Sequence, residues 1–447
     1  GNGLGVATLS VSGGRAEAAG TVRVDSLSLT GGALAGAGSQ ASTFMLDGAG
    51  SWTGGTLEAV TLRISDSGDL DVGGTGTRAL ATSRLENLGT LTLGQSLALS
   101  GGADIVTRPG GVTELPVAID LTGASTADRF VNEGRVDAAA DVTFDLDWEN
   151  SPLAEYGLNA GTTTLVLAAG RAGANRGRID LAAGATLRLD ADTAQTFTNA
   201  VGGRVTGIGE VDAADTDVAF VNAGRLQPGA SPGTLTVDGD LILAETSVVD
   251  IDLAGGAGTD YGLLAVTGSA TLGGRVQTRL FGGYIPSAGD EYRFLTAAGG
   301  VTGSLTDVTA PLGVAFGAPD TSDPTAVAVA VSGVGSIRSW IATVDGDWDD
   351  PANWSDGATL GLPGEGDVVH INQPGDLTVR VDSNVGTILA LDAQETLALT
   401  SGSPFLTVAE TGTIRRLQHS RGTFAGDGTV TVTELFAWSG GTQSGVG

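Results

Sequence analysis

Phe197-Thr-Asn199-Ala-Val-Gly-Gly-Arg-Val205 returns 23 residues later as Phe220-Val-Asn222-Ala-Gly-Arg-Leu226, and this pair decides the fold. The compact form, Asn-x-Gly-x-(Leu/Val/Ile), also occurs at Asn87-Leu-Gly-Thr-Leu91, Asn132-Glu-Gly-Arg-Val136 and Asn175-Arg-Gly-Arg-Ile179. Successive asparagines are 45, 43, 24 and 23 residues apart, close to two, two, one and one times a unit of about 22. A large apolar residue stands two places before the asparagine at Leu85, Phe130, Phe197 and Phe220. A unit of that length matches one coil of a stacked-strand solenoid. Equivalent strands then lie about 4.8 Å apart along the axis, so asparagines at one corner can hydrogen-bond as a ladder while apolar residues fill the interior. Asn87, Asn132, Asn175, Asn199 and Asn222 are the predicted rungs, with the following glycine permitting the corner.

The rest of the chain agrees with this reading. Gly20-Thr-Val-Arg-Val-Asp-Ser-Leu-Ser-Leu29, Gly89-Thr-Leu-Thr-Leu93 and Gly233-Thr-Leu-Thr-Val237 are apolar at every second position, the pattern of strands with one buried face. Helical periodicity is almost absent. The expected fold is all-β: a right-handed parallel β-helix, an elongated rod of roughly 20 coils and about 95 Å. Three stretches are expected: repeats over 1–227, longer strands with richer turns over 228–335, and a tryptophan-bearing segment continuing into solenoid over 336–447.

Composition narrows the chemistry. Among 447 residues are 22 basic side chains, all arginine, and no cysteine. This excludes a Walker phosphate loop, Schiff-base lysines, disulfides and thiolate metal sites. His370 and His419 are the only histidines. The net charge of −29 is spread along the chain, with 14 acids and 5 arginines after residue 335. Such a surface repels nucleic acid and attracts divalent cations. No run of 18 apolar residues suggests a membrane span.

Leu226-Gln-Pro-Gly-Ala-Ser-Pro-Gly-Thr-Leu-Thr-Val-Asp-Gly-Asp-Leu241, Leu264-Ala-Val-Thr-Gly-Ser-Ala-Thr-Leu-Gly-Gly274 and Gly282-Gly-Tyr-Ile-Pro-Ser-Ala-Gly-Asp290 resemble the β-helical passengers of bacterial autotransporters. Trp340 with Gly346-Asp-Trp-Asp-Asp-Pro-Ala-Asn-Trp-Ser355 and Pro363-Gly-Glu-Gly-Asp-Val-Val-His-Ile371 is similar to a module of very large bacterial cell-surface β-solenoid proteins. The resemblance implies export to the cell surface and a parallel β-helix, but no particular activity. The membrane barrel that ends a true autotransporter is missing from this sequence. Ser51-Trp-Thr-Gly-Gly-Thr56 is similar to Trp438-Ser-Gly-Gly-Thr442, and the last residues read into the first as an uninterrupted turn. The expected partners are therefore copies of the chain end to end, or flanking repeats of one longer polypeptide, with cell-surface glycans as a further partner.

Several constellations carry candidate chemistry. Asp345, Asp347, Asp349 and Asp356 follow the oxygen-ligand spacing of a calcium loop, although Asp350 replaces its turn glycine. Calcium is the one cofactor the spacing suggests; turn acids beside structural tryptophans explain it better. Gly255-Gly-Ala-Gly-Thr-Asp260 is a single copy of a calcium nonapeptide start. Trp348 and Trp354, with Trp340, offer flat faces for sugar stacking or else a hydrophobic plug. Asp141, Asp145 and Asp147, or Asp238 and Asp240, share a strand face by parity and so pair carboxylates as glycosidases do. His419 lies among Arg415, Arg416 and Arg421, and Asn353-Trp-Ser is a glycosylation sequon. The expected function is a non-catalytic extracellular rod. A carbohydrate-active enzyme would instead show a groove gathering three or more acids beside an arginine, and a lectin would show exposed coplanar Trp348 and Trp354.

Overall fold

The computed structural model describes residues 4–37, 42–171, 173–229 and 232–445, and of Leu4 the backbone only. The chain is a β-solenoid of about 18 turns with a period near 23 residues. A typical turn carries three short strands. In one they are Arg129–Asn132, Arg135–Ala138 and Val142–Asp145; in the next, Asp147–Asn150, Glu155–Leu158 and Thr162–Val166. Each pairs in parallel with its equivalent one turn away, as in Phe130↔Trp148, Val136↔Tyr156 and Phe144↔Leu165. Strands stop at four or five residues because the apolar alternation is broken by a corner after every second inward side chain.

The interior is a set of stacked columns. Leu62, Leu85, Ile105, Phe130 and Trp148 follow one another in register, and Phe197, Phe220 and Leu241 continue the same column. All eight are buried. The column contains Gly173 opposite Trp148, and there the Trp148 and Phe197 rings close the gap, 6.2 Å apart between centroids. Each fully buried Phe contributes roughly 1.5–3 kcal/mol relative to exposure, so a few aromatics spaced along the axis suffice for a narrow core.

The glycine after each asparagine is required by crowding. A Cβ on Gly134 would stand 2.3 Å from the Arg108 carbonyl oxygen, and one on Gly224 2.3 Å from that of Gly203. Neither glycine has positive φ, so close approach of adjacent coils, not left-handed backbone, excludes a side chain there.

The parallel stacking is interrupted between Glu291 and Ser355, where antiparallel pairs enter, the short Ile337–Trp340 and Trp354–Ser355 among them. Ala326–Val334 runs antiparallel to both Glu291–Ala297 and Val314–Phe316. Parallel coiling then resumes through Val368–Ile371, Ala390–Leu399, Thr411–His419 and Thr429–Trp438. One apolar core runs from Val11 to Val331 and takes in Ile337, Val368 and Ala390; a second runs from Trp340 to Phe424. Among the described residues there is no α-helix, only the short 3-10 turn Pro351–Asn353, and no helix long and apolar enough to cross a membrane.

Candidate functional site

Asn132, Asn175, Asn199 and Asn222 occupy one corner row, joined by Asn150, which the Asn-x-Gly pattern does not capture. Asn132 Nδ2 donates to Asn150 Oδ1 (2.8 Å), Asn150 to Asn175 (2.8 Å), Asn175 to Asn199 (2.7 Å), Asn199 to Asn222 (2.6 Å), and Asn222 to Ser247 Oγ (2.7 Å). Each of the first four also donates to a backbone carbonyl of the next coil, for example Asn175 to that of Arg204 at 3.1 Å. All these asparagines are 0% exposed. Asn87 lies in the same row but one threonine short of the chain: it donates to Val112 O and Thr113 Oγ1, and the rung between it and Asn132 is Thr107. The two double intervals in the sequence are therefore filled by Thr107 and Asn150. Asn150 is followed by Ser-Pro-Leu153 instead of x-Gly, in a longer corner with Leu153 exposed at φ 70°. Its distances of 18 and 25 residues from its neighbours were the signal that could have found it.

The sugar-stacking expectation for Trp348 and Trp354 fails. Both are buried, at 1% and 0% exposure, and their rings meet at 59° with centroids 4.7 Å apart. Trp340 closes the cluster edge-on to Trp354 at 5.1 Å, and Trp354 Nε1 donates to Trp348 O at 2.7 Å. A narrow core poor in other aromatics draws these rings inward, so the cluster is a plug.

The acids around it do not converge on a cation either. Asp345 accepts from the Thr378 amide, Asp347 pairs with Arg380 at 2.7 Å, Asp349 is exposed, and Asp356 accepts from the amides of Ala358 and Thr359. Among the described residues no group of three or more potential ligands is placed to hold a metal ion. The calcium expectation for Asp345, Asp347, Asp349 and Asp356 is thus replaced by separate surroundings: backbone amides for Asp345 and Asp356, Arg380 for Asp347 and solvent for Asp349, with Asp350 capping the 3-10 turn between them. The amide hydrogen bonds from Thr359 and Ala358, with the Thr359 hydroxyl, hold Asp356 down at about 2 from its ordinary 3.8. A depressed folded pKa stabilises the fold above the ordinary value and is lost as pH falls through the folded one. Asp356→Asn is therefore expected to flatten the loss of stability between about pH 4 and pH 2, measured by urea unfolding across that window.

Other candidates are engaged locally. Asp145 ends one strand and Asp147 begins the next, around the corner at buried Leu146, so Asp141, Asp145 and Asp147 do not share a strand face. Asp141 caps the Thr162 amide, Asp145 pairs with Arg171, Asp238 accepts from Thr267, and Asp240 from Ser269. The Gly255–Asp260 stretch is a turn closed by the Ala254 amide on Asp260 O. Asn353 Nδ2 donates to Asp347 O. His370 is buried with Nε2 2.8 Å from Leu312 O, and His419 is buried while Arg415 and Arg416 both clamp Glu434.

One further concavity was not legible in sequence. It is a cleft of about 840 Å³ between the solenoid face carrying Arg204, Arg225 and Arg279 and the later coils carrying Asp392, Glu395 and Arg415. Asp252 and Glu434 also line it. Burial raises the pKa of Glu395, although the amides of Leu377 and Gln373 bond its carboxylate. Burial opposes ionisation of Asp392, but the neighbouring imidazole of His370, whose Nδ1 stands 3.7 Å away, and the Gln394 amide keep its pKa low.

The arginines form an in-register row, Arg178↔Arg204↔Arg225, across three adjacent coils. Arg178 pairs with Asp180 at 2.8 Å and Arg225 with Asp250 at 2.6 Å. Arg204, between them, forms no ion pair among the described residues; its Nη1 donates to Gln227 Oε1 at 3.2 Å. Burial lowers its pKa and Asp250 offsets this in part, while Arg225, Arg279 and Arg178 lower it further.

No family model and no curated protein matches the chain.

Proposed function

We propose that the chain is a non-catalytic, extracellular structural protein: a β-solenoid rod within a cell-surface fibre, adhesin stalk or envelope layer, stacking on copies of itself or on flanking repeats. The observation that carries this reading is the unbroken asparagine row inside a parallel strand stack, which gives length and stiffness and serves no substrate. Exposed apolar side chains add to it: Leu435, Phe436 and Trp438 stand out on the strand Thr429–Trp438, Phe436 and Trp438 with parallel rings.

Negative-stain imaging is expected to show rods of about 85 Å per chain that join into fibres of regular axial repeat as concentration rises. Particles that stay single at every concentration would sink the stacking.

The cleft favours a second reading, a carbohydrate-active enzyme, because Asp252, Asp392, Glu395 and Glu434 gather beside arginines, and burial raises the pKa of Glu395 while His370 and Gln394 hold that of Asp392 low against burial. Each of the four is held by protein donors, which supports a structural role for them over a reacting pair.

A further inference from the structure

We propose that Arg204, Arg225 and Arg279 form a binding site for the carboxylate or sulfate groups of an anionic glycan lying in the cleft. The inference does not depend on the rod: it rests on charge placement along one face. Guanidinium groups stacked in register on neighbouring strands repel one another, and like charges directly opposite in a sheet are destabilising. Here three arginines follow one another with about 4.8 Å between coils. The two outer ones are compensated by Asp180 and Asp250, whereas the central Arg204 has only an amide oxygen. Arg279 adds a fourth cation, 3.6 Å from the Asp250 carboxylate that already serves Arg225. In a chain of net charge −29 the cleft is lined by four arginines, Arg204, Arg225, Arg279 and Arg415, against four carboxylates, Asp252, Asp392, Glu395 and Glu434, so it is locally balanced where the chain as a whole is acidic. An anion placed beside Arg204 would supply the missing counter-charge through a planar donor fork suited to carboxylate or sulfate.

The surroundings select a sugar polymer over an isolated ion. The volume of about 840 Å³ accommodates several sugar rings, and Gln227, Gln277, Thr309 and Asn372 line the cleft with groups that both donate and accept. Asp392 and Glu395, on the facing wall, add acceptors for sugar hydroxyls. Repulsion by the acidic remainder of the molecule is screened beyond about 8 Å at physiological salt, so contacts inside the cleft dominate there.

The test uses the full chain in about 0.15 M salt, with calorimetric titration of trigalacturonate, a neutral galactotriose and sodium sulfate. Trigalacturonate is expected to bind at least about tenfold more tightly than either the neutral trisaccharide or sulfate alone, as a charge-assisted contact would give. Arg204→Gln is expected to weaken trigalacturonate by about tenfold or more while its melting temperature stays level or rises, because the substitution removes a like-charge neighbour. Arg204→Lys, which keeps the charge and loses the fork, is expected to fall between. Equal binding of the neutral sugar, unchanged binding by Arg204→Gln, or no binding by the natural chain overturns the proposal. Sulfate binding as tightly as the oligosaccharide overturns the glycan assignment, leaving a small-anion site.

Discussion

Replacing Asn175 by alanine is expected to cost about 2–4 kcal/mol of unfolding free energy, from the polar groups it strands and the cavity it opens. Asn175 is 0% exposed and stands in the middle of the row: it accepts from Asn150 and donates to both Asn199 and the Arg204 carbonyl. Alanine leaves Asn199 Oδ1 and the Arg204 carbonyl each short of a donor in a row closed to solvent, and leaves Asn150 Nδ2 with only the Arg178 carbonyl. Asn175→Asp should be worse near neutral pH. It places a carboxylate where an amide donor faces the oxygen of Asn199, and an uncompensated buried charge costs more than a lost hydrogen bond. Part of that loss should return on acidification, when the carboxyl becomes neutral and can donate. Because each coil contacts its neighbours only, the damage should be local. Hydrogen exchange should quicken between about residues 147 and 228 and remain unchanged near 79–99. Uniform acceleration along the rod, or none, would falsify the ladder as the source of stiffness.

Trp354→Ala is the second large effect, expected at about 3–5 kcal/mol, as for other buried aromatics cut to alanine. The indole packs against both Trp340 and Trp348 and carries the only hydrogen bond that a ring nitrogen of the trio makes. Its two-residue strand, Trp354–Ser355, is held by antiparallel pairing with Ser339 and Trp340, so little else fixes the segment. Because this core is distinct from the one that runs from Val11 to Val331 and takes in Ile337, Val368 and Ala390, the substitution should split thermal unfolding into two steps, the earlier one assigned by proteolysis to the region around 340–424. A single transition shifted as a whole would show that the two cores melt together.

The repeat was legible because it is local. An apolar residue, a polar corner residue and a glycine recur at a fixed distance, and parallel pairing converts equal spacing in sequence into stacking in space. Hence the rows through Phe130, Phe197 and Phe220 and through Asn132, Asn175, Asn199 and Asn222 follow from the intervals alone. Thr107 and Asn150 hid in the double intervals because their corners take a longer form without the glycine two places on. The sites were less legible. Carboxylates at calcium-like spacing went to separate surroundings, with Asp350 capping the 3-10 turn between them, and Asp141, Asp145 and Asp147 were parted by the corner at Leu146. Spacing fixes a residue's face only while the strand lasts.

The sequence by itself determined a coil of fixed length, strands with one buried face and a chain without cysteine or lysine chemistry. Only the tertiary structure decided that Trp348 and Trp354 face inward, that Ala326–Val334 runs antiparallel to its neighbours, and that later coils stand against the face carrying Arg204 to form a cleft. The reason is the reach of the interactions. A repeat is written in contacts between neighbouring coils, which any stretch of sequence reveals, whereas the cleft depends on segments more than a hundred residues apart, whose meeting no local pattern encodes.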